Sequence, residues 1–93
     1  MKTIQEIREM LAQSRSQDAI DAVNEMTQGG VTGATLAQAY YLRGNAHRQR
    51  GEVRLALNSY LESMELDPDG PAAEAYRMTQ EILAFYNHDL YNP

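Results

Sequence analysis

Apolar residues recur at helical spacing along almost the whole chain. Ile4, Ile7 and Leu11 form one stripe at steps of three and four, the signature of an amphipathic helix. Thr3 and Glu6 have capping-box spacing, so this first helix is expected to start at Ile4. Ser14, Arg15 and Ser16 interrupt the pattern. Ala19, Ile20, Val23 and Met26 carry a second stripe, with Ser16 as the expected N-cap and Gly29-Gly30 as the stop. After a glycine-rich loop, Thr35 and Gln38 again have capping-box spacing. They open a third helix that runs to about Arg50, with Leu36, Tyr40, Gly44 and His47 along one side. Gly51 ends it, and Val53, Ala56, Leu57, Tyr60, Leu61 and Met64 build the fourth stripe, which closes at Leu66-Asp67-Pro68. Gly70-Pro71 restarts the chain, with Pro71 suited to a first helical turn. Ala72, Tyr76, Thr79, Leu83, Tyr86 and Leu90 then give a fifth helix, expected to fray within Asn87-His88-Asp89. No stretch alternates with period two. The pattern predicts an all-α fold of antiparallel helix hairpins joined by short turns.

The stretch from Ala37 to Pro68 is more specific. Counted from Ala37, an aromatic (Tyr40) falls at the fourth position, Gly44 at the eighth, Ala46 at the tenth, Ala56 at the twentieth and Tyr60 at the twenty-fourth, and Leu66-Asp67-Pro68 closes the unit. Gly44 and Ala56 are small where two helices would cross closely, and Tyr40 and Tyr60 are large on either side. Gly51 permits the tight turn, and Pro68 cannot continue the helix. This stretch strongly resembles a tetratricopeptide repeat, whose period is about 34 residues. Two positions depart from the pattern. Arg43 stands where the family usually has leucine, with Leu42 one place earlier, and His47 stands where an aromatic is usual.

Residues 1–33 resemble a degenerate repeat of the same kind, with Ala19 matching Ala56 and Ile20, Val23 and Met26 matching Leu57, Tyr60 and Ser63. Residues 35–70 form the clear repeat. Residues 71–93 lie where the first helix of a third repeat would fall, and the resemblance implies a capping helix and tail. The expected architecture is a single domain, a short solenoid of about two repeats plus that helix.

Composition limits what such a domain does. The chain has 93 residues, 8 Lys plus Arg against 13 Asp plus Glu, a net charge of −5, and no Cys. The acidic balance argues against nucleic acid as a partner, because phosphate binding needs a basic face. The absence of cysteine removes disulfides, thiolate metal sites and a cysteine nucleophile. No apolar run approaches the roughly 20 residues that span a bilayer, and the opening residues interleave charge with apolar positions, unlike a signal peptide. A cytoplasmic protein with no membrane role is expected.

The resemblance implies a groove lined by the first helix of each hairpin, where a peptide or protein partner is held. On the third helix its face carries Gln38, Tyr41, Asn45, Arg48 and Gln49; on the first, Lys2, Gln5, Glu9 and Gln13. Asn45 can hydrogen-bond an extended backbone and Arg48 can pair with a carboxylate. The family's full carboxylate clamp is incomplete, since Tyr41 takes a place where that set has lysine. A second expected surface is the aromatic load of Tyr76, Phe85, Tyr86, Leu90 and Tyr91, either capping the last hairpin or joining two copies as a homodimer. The basic cluster Arg43, Arg48, Arg50 and Arg54 and the acidic Glu62, Glu65, Asp67, Asp69 and Glu74 are either screened surface charge or patches that meet between copies. His47 and His88 lack a second ligand at helical metal spacing, and no nucleophile elbow or phosphate loop is present. No enzyme activity, cofactor or metal is expected.

Overall fold

The structure, a computed structural model, describes the backbone of residues 1–91 and the side chains of residues 1–85. Its elements are α1 (Ile4–Ala12), α2 (Ser16–Gln28), α3 (Gly33–Gln49), α4 (Val53–Leu66) and α5 (Ala72–Tyr91). The fold is all-α, as expected, and each helix packs on the next, with α1 also reaching α3. Among the described residues no helix is long and apolar enough to cross a membrane.

Local chemistry sets most of the boundaries. The Thr3–Glu6 capping box forms: the Glu6 amide donates to Thr3 Oγ1 and the Thr3 amide to Glu6 Oε1, each at 3.1 Å. That backbone bond from Thr3 is the largest cause holding the Glu6 carboxyl below its ordinary range. Three helices then end the same way. After α1, Ser14 and Arg15 donate back to Leu11 and Met10; after α2, Gly30 and Val31 to Thr27 and Met26; after α3, Gly51 and Glu52 to Arg48 and His47. Each is a Schellman closure, which needs a left-handed residue just past the helix. Gly30 and Gly51 supply it at φ +83° and +76°, and Ser14 does so at φ 59° without glycine.

Some predicted caps are not formed. Ser16 is the first residue of α2 rather than its cap; Arg15 takes that place. The Ser16 hydroxyl instead donates to Gln49 Oε1 at 2.6 Å. The Thr35–Gln38 box is likewise absent, because α3 starts earlier, at Gly33 behind Thr32. The expected fraying at 87–89 does not occur, since α5 continues to Tyr91.

The core has two parts. The first is built by α1, α2 and α3 around Ile7, Val23, Met26 and Leu42; the second, smaller one by α4 and α5 around Ala56, Tyr60, Ala72 and Ala75. Tyr41 packs against both. The stripe predicted for α3 is misplaced: of Leu36, Tyr40, Gly44 and His47 only Gly44 is buried, and the other three are half-buried. Its buried residues are Ala37, Ala39, Leu42, Gly44 and Ala46, because α1, α2 and α4 surround this helix. The close crossing at Gly44 is real: a Cβ there would lie 2.5 Å from Tyr60 Cδ1. Tyr60 is 0% exposed. On α4, Leu61 is exposed, whereas Ser59 and Ser63 are buried. Ser63 Oγ donates to the Ala37 carbonyl at 2.7 Å, so the small polar residue ties the two helices of the hairpin.

Candidate binding groove

α3 carries Asn45, Arg48 and Gln49 near its C-terminal end, where α1 lies on one side and the start of α4 and α5 lie on the other. Two open clefts meet there. The first, of about 520 Å³, is lined by Leu11 and Ala12 of α1 and by Asn45, Arg48 and Gln49. The second, of about 400 Å³, is lined by Arg48, Gly51, Val53, Thr79 and Ile82. Arg48 is the wall they share.

The hydrogen bonds divide these residues into spent and unspent groups. Gln49 is spent: its Oε1 accepts from Ser16 and its Nε2 donates to the Leu11 carbonyl at 2.9 Å. Gln49 therefore pins α3 to the α1–α2 turn. The Tyr60 hydroxyl donates to Asn45 Oδ1 at 2.6 Å, which takes one of the two lone pairs of that amide oxygen. Burial raises the Tyr60 hydroxyl above its ordinary pKa, against the opposing pull of Arg48 beside it. No carboxylate pairs with Arg48 among the described residues.

The other predicted groove residues lie elsewhere. Tyr41 is half-buried, its ring centroid 6.0 Å from that of Tyr60, and lines neither cleft. Gln38 is exposed two turns before Asn45. On α1 the cleft is lined by Leu11 and Ala12 rather than by Lys2, Gln5, Glu9 or Gln13. Lys2 lies 3.8 Å from Glu6, and Gln13 accepts from Arg15.

On the opposite side, Arg43 explains its departure from the repeat pattern. Its guanidinium reaches Asn24 of α2 at 3.0 Å and Ser59 and Glu62 of α4 at 2.9 and 2.7 Å, and it lies 4.7 Å over the Tyr40 ring. Leu42 takes the buried place instead. Arg50 pairs with Glu52 and Glu74 with Arg77, so much of the charge in the two predicted patches is used within the chain. His47 Nδ1 lies 3.1 Å from Glu52 Oε1, and this contact is the largest cause lowering the Glu52 carboxyl. Among the described residues no group of His, Cys, Asp or Glu could hold a metal ion.

In the structural comparison, the chain is similar to the Bacteroides fragilis protein BF1650, known from a solution NMR structure, with a TM-score of 0.85 and 40% sequence identity over 99% of this chain and 91% of that one. The chain belongs to the same family as that protein. No protein-family model and no curated protein matches it.

The second predicted surface is only partly where it was expected. Tyr76 is half-buried against the Ala56–Tyr60 part of the core and faces inward, because its stripe is the one that docks on α4. Phe85 is 65% exposed. The side chains of Tyr86, Leu90, Tyr91 and His88 lie outside the described residues. Sequence reading missed Met78 and Ile82, which are 44% and 37% exposed. Their signal was a second apolar stripe, Met78, Ile82 and Phe85, at steps of four and three.

Proposed function

We propose that the chain is a protein-interaction module of tetratricopeptide-repeat type, cytoplasmic and without catalytic activity, that holds a peptide or protein partner along α1, α3 and α5. One observation carries the reading. Asn45, Arg48 and Gln49, expected on the groove from repeat phase alone, line a cleft between α1 and α3. The acidic balance of the chain disfavours nucleic acid there.

A pull-down with wild-type protein and an Asn45→Ala/Arg48→Ala variant, both of whose changes line the cleft, tests it, with circular dichroism to establish that both are helical. Partner recovery should fall several-fold in the variant. Equal recovery would dismiss this face as the binding surface.

A homo-oligomerising module is the second reading, favoured by the exposed Met78 and Ile82 on α5. It expects Met78→Glu to turn a dimer into a monomer in sedimentation. A wild-type protein that is already monomeric sinks it.

A further inference from the structure

The outer face of α4 carries its charges against the helix dipole. Arg54 stands in the first turn and Glu65 in the last, and the first turn has no acidic residue and the last no basic one. A helix favours the reverse placement by about 0.3–1 kcal/mol per charge. Both residues are exposed, and neither has an ion-pair partner among the described residues.

The same face is rich in leucine. Leu55, Leu61 and Leu66 are 47%, 40% and 44% exposed. Arg54, Asn58, Leu61 and Glu65 follow one another at steps of four, three and four, so they share a stripe, and Leu55 and Leu66 lie together along its edge. Beside Leu55 is a cleft of about 260 Å³, lined in part by Ile20 of α2. None of these residues lines the two clefts at Arg48.

The pattern is complementary to itself. Arg54 and Glu65 stand at nearly equal distances on either side of the middle of α4, near Tyr60, and so do Leu55 and Leu66; Leu61 lies almost at the middle. A two-fold axis there would lay a second α4 antiparallel on the first. It would set Arg54 against Glu65 at both ends, Leu55 against Leu66 along one edge, and Leu61 against its own copy along the other. Each misplaced charge would then lie beside the end of the neighbouring helix that favours it. Glu62 does not oppose this approach, because Arg43 already bonds its carboxylate at 2.7 Å.

We infer that two copies of this chain pair through the outer face of α4, antiparallel about a two-fold axis near its middle, joined by two Arg54–Glu65 ion pairs and the leucines between them. The inference goes beyond both functional readings, since it uses a face that neither involves. A single helix face is a small interface, so the dimer is weak and depends on concentration.

Sedimentation velocity of the full chain at about 0.01 to 1 mM tests this. The sedimentation coefficient should rise with concentration, and the rise should shrink at high salt, which screens exposed pairs. Arg54→Glu and Glu65→Arg should each weaken dimerisation about tenfold, because each turns two attractions into repulsions. The double variant Arg54→Glu/Glu65→Arg should restore it, since the pairs re-form with their signs exchanged. Leu61→Glu, which brings two like charges together near the axis, should give a monomer. All three positions are exposed, and circular dichroism checks that each variant is helical. A wild-type chain that stays monomeric throughout overturns the proposal. A dimer that survives Leu61→Glu also overturns it, and its loss in Met78→Glu would then place the interface on α5. A double variant no stronger than the single ones overturns the Arg54–Glu65 pairing. The groove reading stands apart from all of these results and is decided by the pull-down.

Discussion

Tyr60→Ala should cost about 3–5 kcal/mol, the typical loss for emptying a buried aromatic site. A domain of this length has only about 5–15 kcal/mol in all, so the variant sits near the edge of unfolding at ordinary temperature. The size of the effect comes from where the ring lies. It is fully buried, covers Gly44 of α3, and leans on Tyr41, which belongs to both parts of the core. Its hydroxyl also anchors Asn45. Urea denaturation followed by circular dichroism measures the loss. The same pair offers a sign test. Alanine is better than glycine inside a helix by about 1 kcal/mol, so Gly44→Ala should stabilise the chain once Tyr60 has been replaced by alanine. With Tyr60 present, the added methyl meets the ring, and the substitution should instead cost about 1–3 kcal/mol. The same sign in both backgrounds would mean that the crossing is looser than the contact implies.

Arg43→Leu places the usual residue of the resembling repeat into this chain, and it should destabilise by about 1–3 kcal/mol. A fall in melting temperature of about 4–8 °C per kcal/mol is expected for a domain of this size. The Arg43–Glu62 ion pair is not the main reason, because the Glu62 side chain is 44% exposed and half-exposed pairs contribute little. The larger loss is at Ser59, 2% exposed, whose hydroxyl accepts from Arg43. Asn24 and the face of Tyr40 lose the same cation. One arginine on α3 thus connects α2 to α4, and an unchanged melting temperature would show that this connection carries no stability.

The Thr3 capping box and the glycine stops were legible in sequence because they depend on near neighbours, whereas the Ser16 and Thr35 caps were misread. The small-against-large contact of Gly44 with Tyr60, on two different helices, was legible through the resemblance to the repeat. Of the five positions that repeat phase put on the groove face of α3, Asn45, Arg48 and Gln49 line a cleft, and Gln38 and Tyr41 do not. What sequence did not show depends on partners far along the chain. A single apolar stripe reports one buried face, so the burial of Ala37, Ala39 and Ala46 on a helix with neighbours on several sides was hidden. Nothing in the local pattern marks Ser59 and Ser63 as buried, yet each is buried and satisfied by a group on α3. The floor of the first cleft, Leu11 and Ala12, depends on how α1 settles against α3, held in part by Gln49. On α5 the stripe that docks inward was found and the one beside it was not. Arg43 looked like surface charge because the groups it joins lie on two other helices.

α3 has three helical neighbours, whereas α5 packs chiefly on α4. Local unfolding costs least where contacts are fewest, so the stretch bearing Thr79 and Ile82 opens more readily than α3 does. A partner of the proposed kind, seated between Arg48 and that stretch, would bind only the closed form and draw the equilibrium toward it by mass action. On the proposed interaction-module reading, recognition and the docking of the last helix would be one linked equilibrium: part of the intrinsic affinity would be spent on closing α5, and any substitution that tightens α5 against α4 would return that part as stronger binding without touching the ligand.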